Sequence, residues 1–333
     1  MKTKIKSNLR QDLVSGDWVL IAPNRVPKGP KSLIKKIEKR ERSPKKGCVF
    51  CDSKKEPGKV IFSYPDKTNW QIKIIENKYP AVTPSEKLAK FFKKGPYQLV
   101  EGVGHHEVLI TKEHDKNFAH LKKEEAVRVF ETFLDRYQTL SHNDLNCAYV
   151  SIFHNWGKKA GASIYHPHYQ MISIPVVPPD VSHSLHGSER FFEKHKKCVH
   201  CEMIKYEKKE KKRIIYENKS AIAFVPFIAR EPFELRVFPK KHFPYFEDTP
   251  NEILIDIVDA LQTGLLRIER KLKDPDYNFF FHTAPVKNKN KYHFYHWHIE
   301  IQPKISISAG FELATGVEIT IVDPDEAAKI LNS

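Results

Sequence analysis

The chain has 333 residues, 40% hydrophobic and 11% aromatic, which supports a real core and excludes global disorder. Its 56 Lys and Arg against 41 Asp and Glu give a net charge of +15, which favours polyanionic partners (nucleic acid, a membrane surface or phosphorylated small molecules) without choosing among them. No apolar stretch approaches the roughly 20 residues of a membrane-spanning helix, so no membrane partner is expected.

The N-terminal Met1-Lys2-Thr3-Lys4-Ile5-Lys6 is basic with no apolar run behind it, unlike a secretory signal, and a cytoplasmic location is the default expectation. Of five cysteines, four fall in the pairs Cys48-Val49-Phe50-Cys51 and Cys198-Val199-His200-Cys201, and Cys147 stands alone. In a reducing compartment such pairs read as metal sites before disulfides.

The apolar run Leu109-Ile110-Thr111-Lys112-Glu113-His114 reads as a buried strand ending near His114. A helix is expected from residue 123 to about 140, with Ala126, Val127, Phe130, Phe133 and Leu134 on one face. Asn155, Gly157, Gly161 and Ser163 then offer small and polar groups for close backbone approach to phosphate. His166-Pro167-His168-Tyr169-Gln170 leads into the strand-like Met171-Ile172-Ser173-Ile174, and on an extended chain His166, His168 and Gln170 share one face. Pro175-Val176-Val177-Pro178-Pro179 and the polar stretch 182–188 suggest a domain boundary, dividing the chain into 1–184 and 185–333.

The second half repeats the order of the first. A strand-like run from Leu235 leads to His242. A helix follows, for which Thr249 is the expected N-cap and Glu252 the partner in a capping box, with Leu254, Ile257, Leu261 and Leu265 on its apolar face. His296-Trp297-His298 comes next, and a last helix starts at Asp323-Pro324. Both halves thus read Cys pair, lone His, His-x-His. Two copies of one strand-strand-helix-strand module explain this better than one continuous sheet.

Zinc takes four tetrahedral N and S ligands. The expected sets are Cys48, Cys51, His114 and His166 in the first half, and Cys198, Cys201, His242 and His296 in the second. Four protein ligands leave no open position, so both sites are expected to be structural. Iron in one of them is the alternative. Imidazole is a good nucleophile near neutral pH, and an amide beside it can donate to a phosphoryl oxygen, which fits His168 and Gln170. From the residues alone, His-x-His on a strand fits a further metal pair equally well.

The combination of the Cys48/Cys51 pair, residues 155–163 and His166-Pro167-His168-Tyr169-Gln170 resembles the galactose-1-phosphate uridylyltransferase family, a branch of the histidine-triad superfamily. The resemblance covers nearly the whole chain. Gly16-Asp17-Trp18-Val19-Leu20-Ile21-Ala22-Pro23-Asn24-Arg25 looks like the family's first strand and phosphate-contacting Arg. Glu76-Asn77-Lys78-Tyr79-Pro80-Ala81 looks like its nucleotide-contacting turn, and Ala309-Gly310-Phe311-Glu312 like its hexose-binding segment.

The resemblance implies an α+β fold of two tandem histidine-triad-like modules, each a mainly antiparallel sheet with packed helices. It implies ping-pong transfer of UMP between UDP-glucose and a hexose 1-phosphate. His168 is then the nucleophile and His166 a zinc ligand. Arg25, Asn77, Asn155, Gly161, Ser163 and Gln170 hold the nucleotide and its phosphates, while Phe311 and Glu312 meet the sugar. It also implies a homodimer. Gln170 stands where the hydrolase branches carry a third His, which favours transfer over hydrolysis. Tyr169 departs from the usual Gly, Phe311 from the frequent Tyr, and Glu300 replaces the Gln in the second half. The Gly-Ala-Ser and Ala-Gly-Phe-Glu segments are closer to a divergent branch that includes an ADP-glucose phosphorylase, so an ADP-sugar or dinucleotide phosphorylase with the same histidine chemistry is the alternative. A zinc-containing nucleic-acid-binding protein has no use for the His-x-His-x-Gln face, and no nucleic-acid partner is expected.

Overall fold

The computed structural model describes residues 7–38, 40–52, 55 and 57–333. The first half opens with a hairpin of β1 (Asn8–Gln11) and β2 (Trp18–Ile21), then α1 (Pro30–Lys36), β3 (Val60–Tyr64) and β4 (Ile72–Glu76). An exposed hairpin, β5 (Phe91–Lys94) and β6 (Tyr97–Val100), precedes β7 (His106–Thr111), α2 (Lys123–Asn143), β8 (Tyr149–Trp156) and β9 (His168–Ile174). Helices α3 (Pro179–His195) and α4 (Val199–Glu210) lead to β10 (Ile214–Glu217), β11 (Ala221–Phe224) and β12 (Leu235–Pro239). The chain closes with α5 (Asn251–Leu272), β13 (Tyr277–His282), β14 (His298–Pro303), α6 (Gly310–Thr315), β15 (Glu318–Thr320) and α7 (Pro324–Asn332).

The repeat is visible in the topology. The main sheet has ten strands in the order β10-β11-β12-β14-β13-β8-β9-β7-β4-β3, and its left and right halves are mirror sequences of equivalent strands. In each half one long helix, α2 or α5, connects the third strand of that half to the strand at the centre. The two modules are therefore present, but they are joined edge to edge. Antiparallel pairing of β8 with β13, with Asn155 opposite Asn278 and His154 opposite Phe279, makes one continuous sheet where two were expected. Joining the edge strands satisfies two rows of backbone N–H and C=O groups that separate modules would leave open.

Helices α2 and α5 cover one face of the sheet. Val129, Phe130, Phe133 and Tyr137 of α2, and Leu254, Ile257, Val258, Leu261 and Leu265 of α5, are buried at helical spacing against Leu109, Tyr169, Met171, Phe279, Ile299 and Ile301. Each such side chain contributes roughly 1.5–3 kcal/mol by leaving water. Strand parity then fixes the other face: since Tyr169 and Met171 point to the helices, His168 and Gln170 point away from them. Tyr169, the departure from the usual Gly, is thus a core residue, 4.6 Å ring to ring from His154 and 5.6 Å from Phe133.

The polar stretch 182–188, where a domain boundary is expected, lies inside α3, where Gly187 passes so close to the Val14 carbonyl that a Cβ would sit 1.5 Å from that oxygen. The boundary placed after residue 184 therefore falls within this bridging helix. Thr249 is not a side-chain cap: α5 begins after Pro250 without a side-chain cap hydrogen bond, and the Thr249 hydroxyl is buried without a partner. Asp323 does cap α7, accepting from the Asp325 N–H at 2.9 Å. Among the described residues no helix is long and apolar enough to cross a membrane.

Candidate active site and metal centres

The turn Cys48–Cys51 brings both thiols beneath the ends of β7 and β9. Cys51 Sγ lies 3.3 Å from His114 Nδ1 and 3.2 Å from His166 Nδ1, Cys48 Sγ lies 3.7 Å from His166 Nδ1, and the two histidine nitrogens are 3.3 Å apart. Ligands at about 2.0–2.3 Å from a tetrahedral zinc sit about 3.4–3.8 Å from one another, close to these separations. The far ring nitrogens are tied to backbone carbonyls: His114 Nε2 donates to Ser43 O at 2.9 Å and His166 Nε2 to Thr111 O at 2.6 Å. In the neutral rings each Nδ1 is then a lone pair aimed at a common centre, the arrangement a metal requires.

The second half repeats the geometry. Cys201 Sγ is 3.4 Å from His242 Nδ1 and 3.5 Å from His296 Nδ1, and His242 Nε2 donates to His293 O at 2.8 Å. Cys198 completes the group, all four donor atoms lying within 4.8 Å of one another. The residues present fit zinc in both places. A further cluster of His282, His298 and Glu300 is held together differently, with Glu300 also 3.1 Å from Arg236.

His168 is the next residue but one after His166, and the residue is only 7% exposed. Its Nδ1–H donates to the His166 carbonyl at 2.9 Å, so the unprotonated atom is Nε2. Burial pushes the His168 pKa below the usual histidine range, which keeps that lone pair free at neutral pH. In front of it opens a cavity of about 440 Å³, lined among others by Phe50, Lys55, Asn77, Lys78, Tyr79, Ser163 and Gln170. Among the described residues, the charged ones lining it are Lys55 and Lys78, which favours an anionic occupant.

The sequence-based candidates divide. His168, Gln170, Asn77 and Ser163 line this cavity. Asn155 follows His154, the β8 partner of Tyr169, but its Oδ1 is taken by Asn278 Nδ2 at 2.8 Å, and Gly161 stands beside it. Arg25, Phe311 and Glu312 are not among the residues lining the cavity. Arg25 is exposed on a short turn, Phe311 is exposed on α6, and the Glu312 carboxylate accepts from the Ala309 N–H at 3.0 Å. Lys55 and His106 were not singled out from the sequence, and Lys78 entered only as part of the turn 76–81; His106 shares a face of β7 with Val108 and Ile110, which pair with Gln170 and His168, and that parity is the signal that could have found it.

The equivalent position in the second half is closed. The space around His298 is only about 30 Å³, walled by Asp12, Asp17, Asp180 and Glu300 and also by Arg230 and Arg236. His298 Nε2 faces Glu300 at 3.6 Å, and burial would raise that carboxyl, but Arg236, His282 and His298 outweigh it and hold the group well below the usual carboxylate range. A carboxylate there repels phosphate, so peptide mapping after incubation with nucleotide sugar is expected to find no modified His298; a nucleotidyl group on it would overturn the inequality of the halves.

Burial also pushes His154 and His298 down to about 3. Both are neutral in the fold, whereas an exposed histidine titrates near about 6.5. The unfolded chain therefore binds more protons below that value, so the stability these groups contribute is present above about pH 6.5 and is lost as pH falls toward 3. Thermal unfolding between pH 7 and 4 should show the decline, and His154→Phe, which keeps the ring packing, should flatten it; an unchanged slope in that variant would contradict the assignment.

A family model described as a domain of unknown function, DUF4921, matches residues 67–332. The chain is 32% identical over 329 residues to ADP-glucose phosphorylase of Arabidopsis thaliana, covering 97% of this chain and 92% of that one. It is 29% identical over 266 residues to galactose-1-phosphate uridylyltransferase of Thermotoga maritima, covering 77% of this chain and 82% of the relative. Among solved structures, the Arabidopsis thaliana ADP-glucose phosphorylase with bound ADP-glucose superposes with a TM-score of 0.82 at 29% identity over 98% of this chain and 99% of that chain. A uridylyltransferase structure superposes at 0.75 with 27% identity, over 98% and 97%.

Proposed function

We propose, for a chain that belongs to the galactose-1-phosphate uridylyltransferase family with its ADP-glucose phosphorylase branch, that His168 Nε2 carries a nucleoside monophosphate between two phosphate-bearing substrates. Membership makes the protein a nucleotidyltransferase. The observation that carries the residue assignment is the His168 tautomer: Nδ1–H donates to the His166 carbonyl, which leaves Nε2 unprotonated beside a cavity lined by Lys55 and Lys78.

In the first half-reaction the Nε2 lone pair forms a bond to the α-phosphorus of a nucleotide sugar. The P–O bond to the sugar phosphate breaks, and a sugar 1-phosphate leaves with that electron pair. In the second, an oxygen of the acceptor phosphate attacks the same phosphorus and Nε2 leaves. Gln170, Ser163 and Asn77, with Lys55 and Lys78, would stabilise the phosphoryl oxygens as charge builds on them. Zinc, when bound by Cys48, Cys51, His114 and His166, supplies a rigid tether rather than an activated water, because four protein ligands leave no open position. That tether holds the very residue whose carbonyl orients His168. Cys198, Cys201, His242 and His296 would brace the second half in the same way.

The nucleotide is read first as UMP moving between UDP-glucose and a hexose 1-phosphate. A second reading, AMP from ADP-glucose with phosphate as acceptor, is favoured by the longer and higher-identity alignment with ADP-glucose phosphorylase. Phe311 and Glu312 lie outside the cavity of their own chain on α6, and in a homodimer they would serve the acceptor side of a second copy. Release of glucose 1-phosphate from UDP-glucose plus galactose 1-phosphate, against ADP-glucose plus inorganic phosphate, separates the two readings. Turnover with neither pair would remove both.

A further inference from the structure

The half-buried His106, at the start of β7, lies behind the cavity wall and is not needed by the chemistry described above. Its Nδ1 lies 3.1 Å from the backbone nitrogen of Ala81, and its Nε2 lies 2.8 Å from Gln170 Oε1 and 3.0 Å from Asn77 Nδ2. A backbone N–H can only donate, so His106 Nδ1 must be the acceptor. A neutral imidazole then carries its proton on Nε2, and that N–H can only donate. Of its two neighbours, Gln170 Oε1 is the one that can accept.

The consequence reaches the cavity. With Oε1 held from behind, the other end of the Gln170 amide, its NH2, is turned away from His106. The Asn77 amide is fixed as well: its Oδ1 accepts from the Tyr79 N–H at 2.9 Å, and its Nδ2 cannot donate to a protonated Nε2, so its hydrogens stay available to a ligand. Both amides line the cavity in front of His168. Without His106 the Gln170 amide is symmetric enough to rotate, and in the flipped state Oε1 would face an incoming phosphoryl oxygen and repel it.

We propose that His106 is a positioning residue: through the tautomer imposed by the Ala81 N–H it locks Gln170, and leaves Asn77, as hydrogen-bond donors toward the phosphoryl group that His168 receives. This rests on the reading of His168 as nucleophile. The lock matters most as charge grows on the phosphoryl oxygens in the transition state, so it acts on the rate more than on ground-state binding.

The test is the single-turnover rate of nucleotidyl-histidine formation, with UDP-glucose and ADP-glucose as probes, in the wild type and in His106→Phe, His106→Gln, Gln170→Ala and the His106→Phe/Gln170→Ala pair, with thermal unfolding of each. His106→Leu replaces the Phe variant if the larger ring prevents folding. Loss of the lock is expected to slow adduct formation by about 10- to 100-fold, below the roughly 10²–10³ that removal of a donor itself costs, with little change in KM. His106→Gln, which keeps a donor at the place of Nε2, should recover most of the rate. In the double variant the rate should fall no further than in Gln170→Ala, since His106 then has nothing to position. A wild-type rate in the folded Phe or Leu variant, or effects of His106 and Gln170 that simply multiply, overturns this inference alone. A wild-type chain that forms no adduct overturns the His168 reading and this inference with it.

Discussion

His168→Ala is expected to abolish nucleotidyl transfer, by on the order of 10⁴-fold or more, as loss of a covalent nucleophile does in other enzymes, while leaving the fold and metal content close to wild type. Among the described residues, the His168 side chain makes one hydrogen bond, from Nδ1 to the His166 carbonyl, and a tilted ring contact with Phe50 at 5.6 Å. The load on the core is carried by its neighbours Tyr169 and Met171, which point the other way into the helices. Activity and stability should therefore separate in this variant. Equal loss of both would mean that His168 is a structural residue. Nor can His298 substitute, since it faces Glu300 in a space of only about 30 Å³.

Cys48→Ser is expected to act in the opposite order, lowering zinc content and thermal stability first and activity as a consequence. The four donors of the first site come from three separate segments, the turn 48–51, the residues after β7 and the approach to β9. With the metal lost, two Nδ1 lone pairs would face each other at 3.3 Å, an arrangement that is repulsive unless one ring takes up a proton. Structural zinc contributes directly to folding, so a drop of several kcal/mol, on the order of 10 °C in Tm, is the expected size. His166 is shared between the metal set and the His168 hydrogen bond, so residual activity should fall as metal is lost and recover when zinc is restored to a chelated wild type. Full zinc and an unchanged Tm in Cys48→Ser would remove Cys48 from the ligand set.

Much of this architecture was legible because it repeats. The order of Cys pair, lone His and His-x-His occurs in both halves, and the structure brings each group of four together. Parity along β9 was legible too, since the strand period alone separates His168 and Gln170 from Tyr169. The joining of the modules was not, because the β8–β13 pairing that makes one sheet links residues more than 120 positions apart, as Asn155 and Asn278 are, and no local pattern records it. Thr249 carries the right residue type for a cap, yet tertiary packing buries its hydroxyl and starts the helix after Pro250. His106 was invisible for a different reason: its role depends on a backbone N–H from residue 81 and an amide from residue 170, and neither spacing resembles a motif. Arg25, Phe311 and Glu312 came from resemblance alone, and within one chain nothing places them at the cavity.

The most direct measurement is intact-mass spectrometry of the pure protein after separate mixing with UDP-glucose and with ADP-glucose at mildly alkaline pH, followed by peptide mapping. The expected result is a gain of one nucleoside monophosphate, UMP or AMP, located on His168 and absent in His168→Ala. An adduct on any other residue, or turnover of either donor with no adduct at all, would contradict it.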